Sequence, residues 1–452
     1  MKKFKDYQPN QTILFPPSPK DWLPEDHVAY YFSEVVEQLD LSAIYSDYRD
    51  LRGQPPYQPV MMVKVLIYAV ARGVHSSRKI ERALYEDVGF RFLSGNQQPD
   101  HWTIAAFRRR HHKALGDLFV QTVRLANKAG LVELKHVSLD GTKIKANASK
   151  HSAMSYGRMK KEEEQLRRQI SDILDQMEQI DRAEDKEYGE RRGDELPAEL
   201  ATREKRLEAI RRAKAELEAE ACEKAEKEQA KRREKAAKKG KTYRPKNDPA
   251  KAVPRDQDQK NFTDPESRIM KNADKAFIQG YNAQACVDAK THIIVAAGLY
   301  NQAADTELLQ EQVEQVKENT GHCPEELSAD AGYFSADNLE YLAQEGIEAY
   351  IPPDKIRHSD WRRQAPCEEP IPEDVSLADQ MRLKLRTRSG RERYKNRQTS
   401  VEPVFGYIKE EIGLRQFLLR RLEKVRSFWR FTCGVHNLMK LFRAGVVVQA
   451  EG

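Results

Sequence analysis

Residues 155–241 are dominated by Glu, Lys, Arg and Ala, a composition from which no globular core can be built. What they can build is a pair of long helices. Met159, Leu166, Ile170, Ile173, Met177 and Ile180 recur at coiled-coil a/d spacing, and a second seam runs through Leu200, Leu207, Ile210, Leu217 and Ala221. Gly189, Gly193 and Pro197 break the pattern between them, so the spacing predicts an antiparallel coiled-coil hairpin. The stretch KRREKAAKKGKTYRPKNDPAKAVPRDQDQK that follows loses the apolar stripe and reads as a mobile linker. Short apolar, β-prone runs stand on both sides. The charged block, 155–257, therefore reads as an insertion that splits an α/β domain into 131–154 and 258–445.

Residues 1–130 form a separate region with helical periodicity. VAYYFSEVVEQLDL, PVMMVKVLIYAVARGV, SSRKIERALYEDVGFRFL and HWTIAAFRRRHHKALGDLFVQTVRLANKAGL carry apolar residues three and four apart, with Gly73 and Gly130 as stops. One helix begins near Ser76 to Lys79. Another begins at Asp100 to Thr103 and presents Arg108, Arg109, Arg110, His111 and His112. Two short helices with a basic second member have the form of a helix-turn-helix, whose second helix enters a DNA groove. A basic amphipathic helix is also a common solvated surface. The histidines lack metal-ligand spacing and read as surface residues.

After the insertion, GYNAQACVDAK and THIIVAAGLY predict a hairpin turning near Asp288 to Thr291, where Asp288 reads as a turn residue. A helix from about Asp305 ends at Gly321. A strand ending at Asp330, a helix SADNLEYLAQEG and a strand IEAYIPP follow, then a polar linker and a helix carrying Glu402. The order predicts a mixed sheet flanked by helices, with ligands bound off the strand ends.

Three carboxylates stand out in that scheme. Asp140 lies in VSLDGTKIKA, Asp330 in ELSADAGYF and Glu402 in SVEPVFGYIKEEIG. Small residues follow each aspartate: Gly141 and Thr142 after the first, Ala331 and Gly332 after the second. Converging carboxylates repel one another unless hard cations neutralise them, and an oxygen-only donor set favours Mg²⁺ or Mn²⁺. Scattered solvated charges are the plainer account of the same residues. Around Glu402, Gly406 and Lys409 share a helix face while Val401, Phe405, Ile408 and Ile412 form an apolar stripe. Pro403 predicts that this helix begins nearby, with Ser400 as its cap.

Net charge is +6, mild for 452 residues, but its distribution is uneven. Eight of the sixteen residues from Arg382 to Arg397 are Lys or Arg, and basic residues continue through Arg415, Arg420, Arg421, Lys424, Arg426 and Arg430. Such a patch beside acidic residues suits a polyanionic substrate. Five scattered cysteines, odd in number and without a C-x-x-C pair, fit a reducing compartment. No signal-like segment and no membrane-length apolar run is present, which predicts a cytoplasmic, nucleoid-associated protein without membrane contact.

Three blocks carry a resemblance to a known family. SLDGTKIKANASK, SADAGYFS and VEPVFGYIK are similar to the first, second and third catalytic motifs of the DDE transposases of bacterial insertion sequences, and residues 56–111 resemble their N-terminal helical domain. The resemblance implies an RNase H-like catalytic domain and a metal-binding triad of Asp140, Asp330 and Glu402. Two Mg²⁺ or Mn²⁺ ions would serve hydrolysis at the element's ends and then attack of a 3′-hydroxyl on target DNA. It also implies a Tyr-Arg-Glu-Lys signature. Here Tyr394 and Arg397 keep the family's mutual spacing, and Lys409 follows Glu402 after six residues. Arg397 and Glu402, however, are separated by four residues instead of three. Tyr394, Arg397 and Lys409 would hold phosphates, the N-terminal helices would read terminal repeats, and a homodimer or higher oligomer would assemble on DNA, with the insertion able to pair protomers, span two DNA ends or act as a spacer.

Two other functions share these features: an RNase H-like metal-dependent nuclease that cuts without joining, and a domesticated DNA-binding descendant whose catalysis has lapsed. Inverted repeats bracketing the gene separate the first from a transposase, and intact acidic residues in all three blocks argue against the second. A scaffold built round the coiled coil accounts for 155–241 and little else.

Overall fold

The computed structural model describes residues 18–48, 55–149, 152–188, 198–238, 240–245, 247–272, 276–354, 366–367, 371–372 and 374–446, without the side chains at 174, 176–188, 198–201, 235 and 238. Its centre is a mixed sheet. Strands β1 (His136–Lys145), β2 (Ala153–Ser155), β3 (Gln259–Asn261), β4 (Arg268–Lys271), β5 (Phe277–Asp288), β6 (Ile294–Tyr300), β7 (Glu326–Ala329) and β8 (Glu348–Tyr350) follow in chain order. Within the main sheet the lateral order is β4-β5-β1-β7-β8, with β6 also paired to β5. β5 runs antiparallel to β1, β4 and β6, whereas β1, β7 and β8 are mutually parallel. Strands β2 and β3 make a separate two-stranded ribbon. That ribbon and β4 have too few apolar residues to announce themselves in the sequence.

The N-terminal helices are α1 (Val28–Glu37), α2 (Ser42–Tyr45), α3 (Pro59–Ala71), α4 (Ser77–Glu86), α5 (Val88–Leu93), α6 (His101–Arg110) and α7 (His112–Lys128). Two long periodic runs are each cut in two. Asp87 adopts extended backbone and caps α5 by accepting from the Phe90 N–H, and His111 leaves the helical region between α6 and α7. The two members of the expected helix-turn-helix, α4 and α6, are thus separated by α5, although they pack on one another. His111 is buried, not superficial: its ring bonds the Tyr48 hydroxyl and approaches Asp47.

The insertion comprises α8 (Tyr156–Tyr188) and α9 (Ala198–Lys238). Met159 and Leu166 pack with Leu207, Ile210, Ala213 and Leu217 in a small core of their own. Buried Glu163 is held by Arg167, Arg211 and Lys214. Met177, Ile180 and Leu200 have side chains outside the described residues, as do the predicted breaks Gly189, Gly193 and Pro197. The linker reading of 231–260 is corrected in part. Helix α9 continues to Lys238, and a 3-10 turn at Pro249–Lys251 and strand β3 follow.

Helices α10 (Leu309–Thr320), α11 (Ala336–Gln344), α12 (Leu377–Arg386), α13 (Arg388–Glu410) and α14 (Leu422–Arg443) complete the chain. The sequence pattern does not predict the last as an element, yet it joins the two halves. It packs on α7 and β6, and Asn437 bonds both the N–H and the carbonyl of Ile294. Gly116 permits that approach, since a Cβ there would lie 2.9 Å from Ser427 Cα. One continuous apolar core therefore runs from α1 through the sheet to α14. All five cysteines are free, and among the described residues no helix is long and apolar enough to cross a membrane.

Candidate active site

Strands β1 and β7 lie side by side and parallel, and their last paired residues are Leu139 and Ala329. Asp140 and Asp330 are the next residue on each strand. Neighbouring strands are about 4.8 Å apart, so the two carboxylates start from adjacent backbone positions. Asp330 turns sharply out of its strand, its Oδ1 accepting from the Gly332 N–H at 2.7 Å. Asp140 is taken onward by β1, which continues antiparallel to β5.

Helix α13 lies against β1. Its stripe Val401, Val404, Phe405 and Ile408 is buried, and Ser400 donates to Ser138 Oγ at 2.7 Å, two residues before Asp140. This corrects the expected start of the helix. Thr387 is the cap, accepting from the Gly390 N–H, and Ser400 and Pro403 sit in the interior. Pro403 removes the N–H that would have bonded Thr399 O. The helix nevertheless runs through Pro403 to Glu410. Tyr394, Arg397, Glu402 and Lys409 consequently share one rigid element. Glu402 and Gly406 are exposed and Lys409 is half-buried.

Arg397 Nη1 lies 2.6 Å from Asp140 Oδ2 and Nη2 lies 3.8 Å from Glu402 Oε1. The extra residue between Arg397 and Glu402 rotates them about 140° apart on the helix, and the length of the arginine spans the difference. Burial pushes the Asp140 carboxyl up to about 6, Arg397 opposes this, and the neighbouring Asp330 and Asp305 add to it. Tyr394 is raised chiefly by burial, with the Arg397 guanidinium 5.9 Å from its ring centre. Arg397 Nε is buried without a hydrogen-bond partner. Among the described residues no three His, Cys, Asp or Glu side chains stand close enough to hold a metal ion as they are. The donor types nevertheless fit a hard cation: two in-register aspartates and a glutamate, with a guanidinium now supplying positive charge between Asp140 and Glu402.

The family model for a transposase domain (DUF772) matches residues 17–110, and the model for a transposase DDE domain matches residues 249–438. The chain belongs to the DDE transposases of insertion-sequence type. The mixed sheet with its flanking helices is the RNase H-like fold of that family. Asp330 and Glu402 fall inside the second match, whereas Asp140 precedes it, on the far side of the insertion. No curated protein and no solved structure matches the transposase.

One acidic residue of this site escapes the sequence reading. Asp305 accepts from Lys143 Nζ at 3.1 Å, Asn282 Nδ2 at 2.6 Å and Gln284 Nε2 at 2.8 Å. Its neighbour Thr306 donates to Gly332 O, in the turn that carries Asp330. Asp305 thus ties β1 and β5 to that turn. Its only sequence signal is its place at the start of a helix, where a capping role is the commoner reading.

The basic residues divide sharply. Arg109 and Arg110 are exposed on α6, as is Trp102 two turns earlier, at 67%. Arg108 turns inward: it donates to His75 O at 2.7 Å, lies over the Phe428 ring, and burial lowers it to about 10. Its expected place on the DNA-facing surface is therefore corrected. Within 382–397, Arg382 pairs with Asp354 and Asp379, Lys384 with Glu348, Arg393 with Glu326 and Arg397 with Asp140. Much of that patch thus serves internal ion pairs, a use that charge counting cannot distinguish from polyanion binding. Asp288 accepts from the N–H groups of Glu133, Leu134, Lys290 and Thr291, which fits the turn role read for it.

Proposed function

We propose that this transposase binds the terminal inverted repeats of its element and catalyses cleavage and strand transfer at their ends with Mg²⁺ or Mn²⁺. The observation that carries the reading is the adjacency of Asp140 and Asp330 on neighbouring parallel strands, beneath a helix that holds Arg397 and Glu402. Asp140, Asp330 and Glu402 would hold the divalent ions, which when bound lower the pKa of an attacking hydroxyl and stabilise the leaving oxygen.

The chain's own residues account for the remaining tasks. Arg397 can turn its planar guanidinium from Asp140 to a phosphate, and Lys409, two turns beyond Glu402 on the same face, supplies a point charge. Tyr394 buttresses Arg397. Arg109 and Arg110 contact the DNA backbone from α6, and base reading falls to the N-terminal helices. The attacking group is first water, breaking the bond to the 3′ oxygen at the element's end; the freed 3′-hydroxyl then attacks a target phosphate in line and displaces its 3′ oxygen. A homodimer or larger assembly would hold two ends together, in the cytoplasm on nucleoid DNA.

Purified protein incubated with Mg²⁺ and the DNA bordering its own gene should cut at the element boundary and join the product to a second duplex. Asp140→Asn should reduce both reactions by roughly 10³-fold or more while leaving DNA affinity within about twofold. Cleavage by that variant at the parental rate would remove Asp140 from the site.

A further inference from the structure

Leu217 is the last α9 residue in the insertion's apolar core, and beyond it α9 is held by polar contacts, Glu218 to Tyr156 and Glu220 to Lys260 and Arg268. Helix α9 does not stop there. It continues to Lys238, roughly 30 Å further at 1.5 Å per residue. Lys224, Lys227, Lys231, Arg232 and Arg233 are all exposed along this extension. From 231 to 246 the chain carries nine Lys or Arg and a single acidic residue, Glu234.

Over 218–238 the helix carries seven Lys or Arg against six Glu, so the excess is confined to its end from Lys231 and to the segment behind it. Lys227 with Lys231, and Lys231 with the next basic position at 235, are like charges four residues apart, each costing a few tenths of a kcal/mol. The exposed pairs Lys227–Glu223 and Arg232–Glu228 offset little of that repulsion. A polyanion would reverse it. Position selects which one, because Lys231 Nζ bonds Glu307 Oε1 at 2.9 Å, two residues from the Asp305 knot that joins Lys143, Asn282 and Gln284.

We infer that the C-terminal part of α9 and the segment behind it form a track for the DNA backbone, carrying the duplex that borders the scissile phosphate into the Asp140 site. The inference rests on the proposed reading that the substrate is DNA cut at that site. It gives the insertion a role in each protomer's own substrate binding, with the Lys231–Glu307 contact marking where α9 comes alongside the site and the basic residues beyond it as the surface that meets DNA.

The test uses the full chain with Arg232→Gln, Arg233→Gln, Lys241→Gln and Arg244→Gln combined, leaving the Lys231–Glu307 pair intact. Gln preserves helix propensity, and circular dichroism with a melting curve confirms that the variant is folded. The probe is a duplex spanning the boundary of the protein's own element. Every phosphate that the variant no longer neutralises should shallow the plot of log affinity against log salt by about 0.9, so a fall of about 2 to 4 in slope is expected. Hydroxyl-radical protection should disappear on one side of the boundary only. An unchanged slope together with an unchanged footprint would overturn the track. Absence of cleavage by the unsubstituted protein would count against the catalytic reading alone, because slope and footprint are measured without cleavage.

Discussion

One guanidinium joins two of the three candidate carboxylates: Arg397 Nη1 lies 2.6 Å from Asp140 Oδ2, and Nη2 lies 3.8 Å from Glu402 Oε1. Asp140 and Arg397 are 257 positions apart in the chain, so this pairing is wholly a product of tertiary packing. It places a permanent cation where the proposed chemistry requires exchangeable ones.

Arg397 should therefore compete with divalent metal. Arg397→Ala is expected to bind Mn²⁺ about tenfold more tightly than the parent in the absence of DNA, a difference of about 1.4 kcal/mol. Titration followed by electron paramagnetic resonance reads this directly. Equal or weaker binding by the variant would show that the guanidinium does not occupy the ions' place.

A second expectation concerns pH. The Asp140 carboxyl is raised by burial from an ordinary value near 3.8 to about 6, so its contribution to stability is full below about 4 and lost as pH rises through 6. In chelator-treated buffer, Asp140→Asn should gain on the parent by on the order of 2 kcal/mol between pH 4 and pH 7.5. Thermal melting at several pH values checks it, and a gap that is constant with pH would contradict it.

Gly141 is a packing requirement of the site. A Cβ there would lie 2.2 Å from Gln284 Nε2, whose amide is fixed by Asp305 on one side and by the Tyr333 hydroxyl on the other. Gly141→Ala should cost about 1–3 kcal/mol of stability and displace Lys143 and Asp305 together. Denaturant unfolding measures the loss; a parental midpoint would mean that Gln284 can yield freely.

Lys409 offers a test confined to substrate binding. Lys409→Ala should weaken binding to boundary DNA and reduce the salt slope by about one phosphate's worth, with little change in melting temperature. A slope equal to the parent's would exclude a phosphate interaction.

Much of the architecture could be read from pattern alone. The coiled-coil seams, the hairpin around Asp288 and the strand leading to Asp330 all depend on local periodicity or turn chemistry, which short-range physics controls. Where partners lie far apart in the chain, pattern is silent. Arg108 and Arg109 are chemically alike and adjacent, yet one lies over Phe428 and the other faces solvent. Pro403 announces a helix start by local rules, yet the helix begins at Arg388 and runs through it, with Ser400 bonded to the distant Ser138 of β1. Helix α14 is buried on nearly every side from Ser427 to Leu438, polar Thr432, His436 and Asn437 included, because it is packed between α7 and β6, and those partners are distant in the chain.

By itself the sequence determined which side chains were available: Asp140, Asp330 and Glu402 in three recognisable blocks, a signature arginine one residue out of step, and a charged insertion that no core could absorb. Tertiary structure decided which of them meet. The parallel pairing of β1 with β7 sets the two aspartates side by side, the depth of the sheet raises Asp140, and the reach of one arginine compensates for the extra residue before Glu402. Register, burial and side-chain reach are properties of pairs of distant segments, and such pairs exist only once the chain has closed on itself.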